Sequence, residues 1–120
     1  MPVRGIRGAT TITADNADEV LATTSELLEA IRQANQFEPE AIASILFTVT
    51  SDIRSAFPAQ AARFLGWDLV PLLCFQEIEV AGSLPLCIRV LIFLNTDQRQ
   101  DQMQPIYLRE ASNLRRDLKQ

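Results

Sequence analysis

The chain has 120 residues, a formal net charge of −4 and no histidine, and this length fits one compact domain over residues 1–120. With two cysteines and a single lysine, Lys119, it is poorly equipped for nucleophile–histidine pairs, zinc binding or Schiff-base chemistry, so we expect no metal and no cofactor. Because the cations of this acidic chain are almost all arginine, we expect small anions rather than nucleic acid as ligands.

The first elements in chain order are a strand and a long helix. Val3 to Thr13 is rich in Val, Ile and Thr, which is typical of a strand. Asn16, followed three residues later by Glu19, forms a capping pattern that starts a helix. Apolar residues at helical spacing carry this helix to about Ala34.

The rest of the chain contains further strands around a second helix. Phe57-Pro58 starts this helix, because proline suits a first helical turn, and Gly66 ends it. The other predicted elements are a helical turn at Pro39, strands at Ser44 to Val49, Leu69 to Glu77, Cys87 to Asn95 and Ile106 to Leu108, a turn at Gly82 and Pro85, and a helical turn from Arg109 to Leu114. The near-continuous apolar run of the strand from Cys87 to Asn95 predicts burial on both of its faces.

This order of elements predicts an α/β or α+β layer in which two main helices cover a mixed β-sheet, and we expect the α+β class. The helices cover one face of the sheet, so the other face is left for a neighbouring subunit. No segment has the apolar run of a signal peptide or the length of a membrane span. Two cysteines, Cys74 and Cys87, do not form a disulfide framework. We therefore expect a cytoplasmic protein that does not contact membranes.

Two arginines lie inside predicted strands. Strand alternation places Arg7 between two small residues on one face, which leaves space beside its guanidinium, although an edge strand with a solvent-exposed arginine explains the pattern equally well. Arg89 interrupts the most apolar strand, where an unpaired buried charge costs several kcal/mol. Its partner is either a structural carboxylate, Glu77 or Glu79, or an anionic ligand.

Glu77, Cys74 and Tyr107 are not specific when taken one at a time. A surface carboxylate, a small buried apolar residue and a packing residue with its hydroxyl at the surface explain them individually. Their meaning depends on the segments in which they occur.

Six segments occur in a specific order along the chain: Arg4 to Thr11 (RGIRGATT), Phe57 to Ala59 (FPA), Val70 to Glu77 (VPLLCFQE), Cys87 to Val90 (CIRV), Asn95 to Asp97 (NTD) and Tyr107-Leu108. Together they resemble the monofunctional trimeric chorismate mutases of the mixed α/β type, over roughly residues 3–118. The resemblance implies a ferredoxin-like layer and a homotrimer with a pseudo-barrel core and interfacial active sites. It also implies a pericyclic rearrangement of chorismate to prephenate without a cofactor, on the route to phenylalanine and tyrosine.

The resemblance implies roles for individual residues as well. Arg89 matches the arginine that contacts the ether oxygen and a carboxylate of the substrate. Arg7 and Tyr107 match positions at a carboxylate, and Glu77 and Cys74 match positions at the ring hydroxyl. Further positions that match substrate-binding residues, some of them from the neighbouring subunit, are Leu73, Phe75, Gln76, Phe57, Arg63, Leu114 and Arg115.

Three features depart from the family pattern. Cys74 and Glu77 are three residues apart, so they face opposite sides of a strand unless a bulge or the strand end turns one of them. Gln60 stands where some members carry lysine, and Arg116 stands where proline is usual.

Two other functions fit an arginine-lined trimer: a deaminase that acts on reactive imines, and a non-catalytic binder of an aromatic-pathway acid.

Overall fold

The computed structural model describes residues 1–114. Its strands are β1 (Val3–Thr11), β2 (Ile42–Val49), β3 (Leu72–Gln76), β4 (Cys87–Asn95) and β5 (Ile106–Tyr107), and its α-helices are α1 (Ala17–Asn35) and α2 (Gln60–Phe64). Short 3₁₀ turns lie at Pro39–Ala41, Gln100–Gln102 and Arg109–Asn113. Within the described residues, no helix has the length and apolar character needed to cross a membrane.

The five strands form one mixed sheet in the order β3-β2-β4-β1-β5. The central strand β4 runs antiparallel to both β1 and β2, whereas β3 is parallel to β2 and β5 is parallel to β1. Residues of α1 and α2 pack with one side of this sheet in a single hydrophobic core. The predicted α+β fold, a mixed sheet with two helices, is therefore confirmed.

Helix α1 begins where the sequence predicted. The side-chain oxygen of Asn16 accepts a hydrogen bond from the backbone N–H of Glu19 at 3.1 Å, which satisfies one of the unpaired donors of the first turn. The Glu19 carboxylate accepts from the backbone N–H of Thr13 at 2.6 Å, so it ties the helix start to the end of β1 instead of completing a reciprocal capping box. The helix ends at Asn35, and the next residue, Gln36, caps it with a left-handed φ of 52°.

The two faces of β4 have different environments. Ile88, Val90, Ile92 and Leu94 are buried in the core, whereas the alternate residues of β4 from Arg89 onward are only half-buried. The predicted burial of β4 on both faces is therefore not what one copy of the chain provides, because the helices cover one side only. We call the other side, which carries Arg7, Ala9, Leu46, Thr48, Leu73, Phe75, Arg89, Leu91 and Phe93, the open face.

Several element boundaries differ from the prediction for local reasons. β1 ends at Thr11 rather than Thr13, because Glu19 takes the Thr13 N–H. β3 starts after Pro71, which has no N–H to donate to a ladder. The regular part of α2 starts at Gln60, because the chain before it forms a tight turn. In this turn the Gln60 N–H donates to the Phe57 carbonyl at 3.1 Å and the Ala61 N–H donates to the Pro58 carbonyl at 3.0 Å.

Candidate active site

The strand register brings five side chains into one row across the open face. Arg89 on β4 lies opposite Ala9 on β1 and opposite Thr48 on β2. Tyr107 on β5 is the partner of Ala9, and Phe75 on β3 is the partner of Thr48. Because paired residues of neighbouring strands point to the same side of a sheet, Arg89 lies at the centre of this row.

Arg89 has a carboxylate partner but keeps unused hydrogen-bonding capacity. Its Nε lies 3.5 Å from Oε2 of Glu77, and the two side chains are 41% and 24% exposed. This distance describes an ion pair rather than a hydrogen bond. Among the described residues, the buried Nε has no hydrogen-bond partner at all. Of the two carboxylates weighed from the sequence, Glu77 faces Arg89, and Glu79 instead accepts a hydrogen bond from the Ser51 hydroxyl.

Glu77 lies just beyond the end of β3 and is held by two groups. Its backbone N–H donates to the Val49 carbonyl at 2.8 Å, which continues the ladder between β2 and β3 by one residue. Its Oε2 accepts a hydrogen bond from the hydroxyl of Thr48. Sequence reasoning missed Thr48, because only the register of β2 between β3 and β4 brings its hydroxyl to Glu77.

Arg7 shares the open face with Arg89. It lies opposite Leu91 on β4, one row away from Arg89 along the strands, and its side chain is exposed. One explanation left open for Arg7 was an edge strand with a solvent-exposed arginine. Its side chain is exposed, but β1 is not an edge strand over its whole length, because β5 pairs with it at Gly8 and Ala9. Within residues 1–114 no carboxylate forms an ion pair with Arg7, so two guanidinium groups share a region that contains one carboxylate, Glu77.

Tyr107, at one end of this row, is nearly fully buried. It packs with Ala9, Cys87 and Ala111, and Leu114 packs against the same cluster. Burial raises the pKa of the Cys87 thiol, while the nearby charge of Arg89 opposes that shift. The structure therefore brings Leu114 to the cluster that contains Tyr107. Arg115 and Arg116 lie outside the described residues.

A second group of predicted site residues lines a groove along β3, away from Arg89. A groove of about 450 Å³ is lined by Phe57, Gln60, Cys74, Phe75 and Gln76, among others. Burial raises the pKa of the Cys74 thiol, and a hydrogen bond from the Ala59 backbone opposes the shift. Cys74 is the register partner of the core residue Phe47.

Cys74 and Glu77 keep opposite orientations. The register between β2 and β3 is regular from Leu72 to Gln76, so no bulge turns either residue. The ladder continues to the backbone N–H of Glu77, so its side chain lies on the open face with that of Phe75 and reaches Arg89. Cys74 instead lines the groove.

Arg63 and Leu73 complete the predicted set. The Arg63 guanidinium donates to the backbone carbonyls of Trp67 and Val70, the second at 2.9 Å. It therefore stabilises the loop between α2 and β3, a role that no pattern in the sequence indicates. Leu73 lies on the open face and is 59% exposed.

The family model for chorismate mutase type I matches residues 3–118 of the chain. The chain belongs to this family. It is 45% identical over 119 residues to the chorismate mutase AroH of Bacillus subtilis (strain 168), with 98% of this chain and 94% of that protein covered. It is 50% identical over 117 residues to the chorismate mutase AroH of Thermus thermophilus, with 97% and 96% covered.

A solved structure of a chorismate mutase from Clostridium thermocellum has the same fold. Its TM-score is 0.89 at 46% identity, and the match covers 90% of this chain and 96% of that one. The family predicted from the ordered segments is thus confirmed. All three relatives are chorismate mutases by name, which favours the first of the three functions weighed from the sequence.

Proposed function

We propose that the chain isomerises chorismate to prephenate in a site built by two copies of the chain, with Arg89 as the main catalytic cation. The activity rests on membership of the family and on relatives at 45% and 50% identity. The role of Arg89 rests on one observation above all: its buried Nε, in the middle of an apolar sheet, has no hydrogen-bond partner among the described residues.

The chemistry of the reaction explains why a fixed cation is sufficient. The rearrangement breaks a carbon–oxygen bond and forms a carbon–carbon bond within one molecule, with no proton transfer. Negative charge grows on the ether oxygen as the bond breaks. A guanidinium already placed at that oxygen stabilises the transition state more than the bound substrate. The reaction requires no metal or cofactor, which remains an expectation from the composition.

The remaining polar groups suit the rest of the substrate. Chorismate carries two carboxylates and a ring hydroxyl, so we assign one carboxylate to Arg7 and Tyr107 and the other to Arg89. We assign the ring hydroxyl to the Glu77 carboxylate, which is an acceptor when ionised. Arg7 and Arg89 then offset the two substrate charges, and their repulsion on one face of the sheet is relieved when the dianion binds.

Cys74 fits this arrangement through its backbone rather than its thiol. Pro71 accepts from the Ile45 N–H, and Glu77 donates to the Val49 carbonyl, so residues with odd numbers in this strand turn their backbone groups toward β2. Alternate residues of a strand turn these groups to opposite sides. The N–H and C=O of Cys74 therefore point away from β2 at the edge of the sheet, where they can bind a hydroxyl.

The second copy supplies what one chain cannot bring to Arg89. Phe57 is 68% exposed and lines the groove on the far side of β3, so it belongs to a site at Arg89 only if it comes from a neighbour. The open face also leaves Phe75 48% exposed. A groove that meets a different surface of the next copy makes a heterologous contact, and such contacts form a ring when the rotation between copies closes. We propose the homotrimer implied by the family resemblance.

A cytoplasmic location is part of the same proposal. Both cysteines, Cys74 and Cys87, are free thiols, which fits the reducing conditions of the cytoplasm.

Loss of chorismate absorbance with purified protein, with prephenate identified by NMR, tests the activity. Arg89→Ala should lower kcat/KM by roughly 100- to 1,000-fold. Arg99→Ala is the matched control, because Arg99 is an exposed arginine paired with Asp101 at 3.0 Å. An inactive wild type would refute the activity, and an Arg89→Ala variant as active as Arg99→Ala would refute the role of Arg89.

Mixing two defective variants tests whether the site is shared between copies. Phe57→Asp places a negative charge in the groove, and Arg89→Ala removes the cation. In mixed trimers about a quarter of the sites combine an intact groove with an intact Arg89, if adjacent copies build each site. Coexpression should therefore restore measurable activity that neither variant has alone. A site contained in one chain would give no recovery.

A further inference from the structure

Thr48 is a polar residue in the apolar strand β2 and it lies between the two charged groups of the site. On the open face its register partner on the adjacent strand β4 is Arg89. Its hydroxyl donates a hydrogen bond to Oε2 of Glu77. This is the same carboxylate oxygen that faces the Arg89 Nε at 3.5 Å. One oxygen of Glu77 is therefore engaged by Thr48 and by Arg89 together.

The hydroxyl changes how Glu77 and Arg89 interact. A carboxylate beside a guanidinium favours two parallel short hydrogen bonds, one to each oxygen. The observed pair does not adopt that geometry, because its closest contact, at 3.5 Å, is longer than a hydrogen bond. Within residues 1–114, Oε1 of Glu77 accepts no hydrogen bond, whereas Oε2 accepts one from Thr48. The Thr48 hydrogen bond thus holds the carboxylate beside Arg89 without letting it close onto the guanidinium.

We propose that Thr48 is a positioning residue, which keeps Glu77 from closing onto the Arg89 guanidinium and leaves Oε1 of Glu77 available to the ring hydroxyl of the substrate. This inference rests on the proposed function and adds a residue to it. Thr48 itself does not contact the reacting atoms in this account. Its effect on the reaction passes entirely through Glu77, and that dependence makes it testable.

Two substitutions separate the hydroxyl from the shape of the side chain. Thr48→Val is nearly isosteric and keeps the β-branched character that suits a strand, but it removes the donor. Thr48→Ser keeps the donor. We expect Thr48→Val to lower kcat/KM for chorismate by about tenfold, the effect of one lost hydrogen bond to a charged group. Thr48→Ser should stay close to the wild type.

A double-mutant cycle with Glu77→Gln supplies the readout that a merely structural role would not move. If Thr48 acts through the Glu77 carboxylate, Thr48→Val has little further effect once Glu77 is replaced, so the losses are not additive. Thr10→Val is the matched control. The hydroxyl of Thr10 is buried on β1, which β4 separates from β2, and has no hydrogen-bond partner among the described residues, so its removal should leave activity unchanged.

Three results would overturn the proposal in an active wild-type background: Thr48→Val within twofold of the wild type, Thr48→Ser as impaired as Thr48→Val, or additive losses with Glu77→Gln. If Thr48→Val does not fold, Thr48→Ala is measured in the same cycle. A wild type without activity on chorismate refutes the proposed function itself, so the two failures are distinguishable.

Discussion

Gly8 is the residue at which β1 comes closest to its neighbours, and replacing it by alanine tests how β5 holds Tyr107. A Cβ at position 8 would lie 2.7 Å from Cδ1 of Ile31 and 3.0 Å from the backbone oxygen of Ile106. The Ile31 methyl is the end of a flexible side chain and can rotate away. The Ile106 carbonyl belongs to β5, so the backbone that precedes Tyr107 has to shift.

The size of the effect follows from these contacts. Overpacking of this kind costs roughly 1–3 kcal/mol, and the reduced freedom of the unfolded chain offsets about 0.4–1 kcal/mol of it. A net loss of about 1–2 kcal/mol lowers the melting temperature of a domain of this length by roughly 4–8 °C. Because Tyr107 moves with β5, kcat should fall as well.

Calorimetry and the chorismate assay measure both effects, and Gly5→Ala is the matched control on the same strand. A Cβ at Gly5 would meet Cδ1 of Leu91 at an ordinary 3.5 Å. If Gly8→Ala melts at the same temperature as Gly5→Ala, the close approach of β1 and β5 is wrong. A lower melting temperature with unchanged kcat would show that β5 does not position Tyr107 for catalysis.

Three further predictions concern the activity of a Cys74 variant, the reactivity of the two thiols, and the loop that follows β2. Cys74→Ala should change kcat/KM by less than about threefold, since the expected contact uses the backbone; a loss comparable to that of Glu77→Gln would contradict this. In mass-spectrometric thiol labelling, the half-buried Cys74 should react before the buried Cys87, and both should react slowly because burial raises the pKa of each thiol. The Asp15 carboxylate accepts hydrogen bonds from the backbone N–H groups of Arg54 and Ser55, both at 3.0 Å. Hydrogen bonding, above all with Ser55, holds the pKa of Asp15 below its ordinary value of 3.8. The folded form therefore keeps this carboxylate ionised where the unfolded chain binds a proton, so the stability advantage of the wild type over Asp15→Asn should be constant above about pH 5 and decrease as the pH falls toward the folded pKa; an advantage that does not decrease on acidification would contradict this.

Local signals in the sequence were sufficient for the long elements. The Cys87–Asn95 strand has the bounds predicted for it, because an apolar run follows a turn at Gly82 and Pro85. The start of α1 follows from the side chain of Asn16, which needs only a backbone N–H three residues away. α2 and β3 are shorter than predicted because Pro58 and Pro71 shape the chain around them.

The site was harder to predict because its contacts are remote in sequence. Arg89 could be singled out from a charge in an apolar strand, but the choice between Glu77 and Glu79 depends on where β3 ends. Thr48 is 29 residues from Glu77, and only the strand order brings them together. The carbonyls that Arg63 binds are likewise set by the path of a loop rather than by a pattern.

The most direct test of the central claim is whether Arg89 stabilises the transition state more than the ground state. In Arg89→Ala, the affinity for a stable bicyclic dicarboxylate that mimics the transition state should fall by about the same factor as kcat/KM, roughly 100- to 1,000-fold, while the affinity for prephenate falls much less. Isothermal titration of both ligands against wild type and variant measures this difference. Equal losses for the two ligands, or an unchanged affinity for the mimic, would contradict the account.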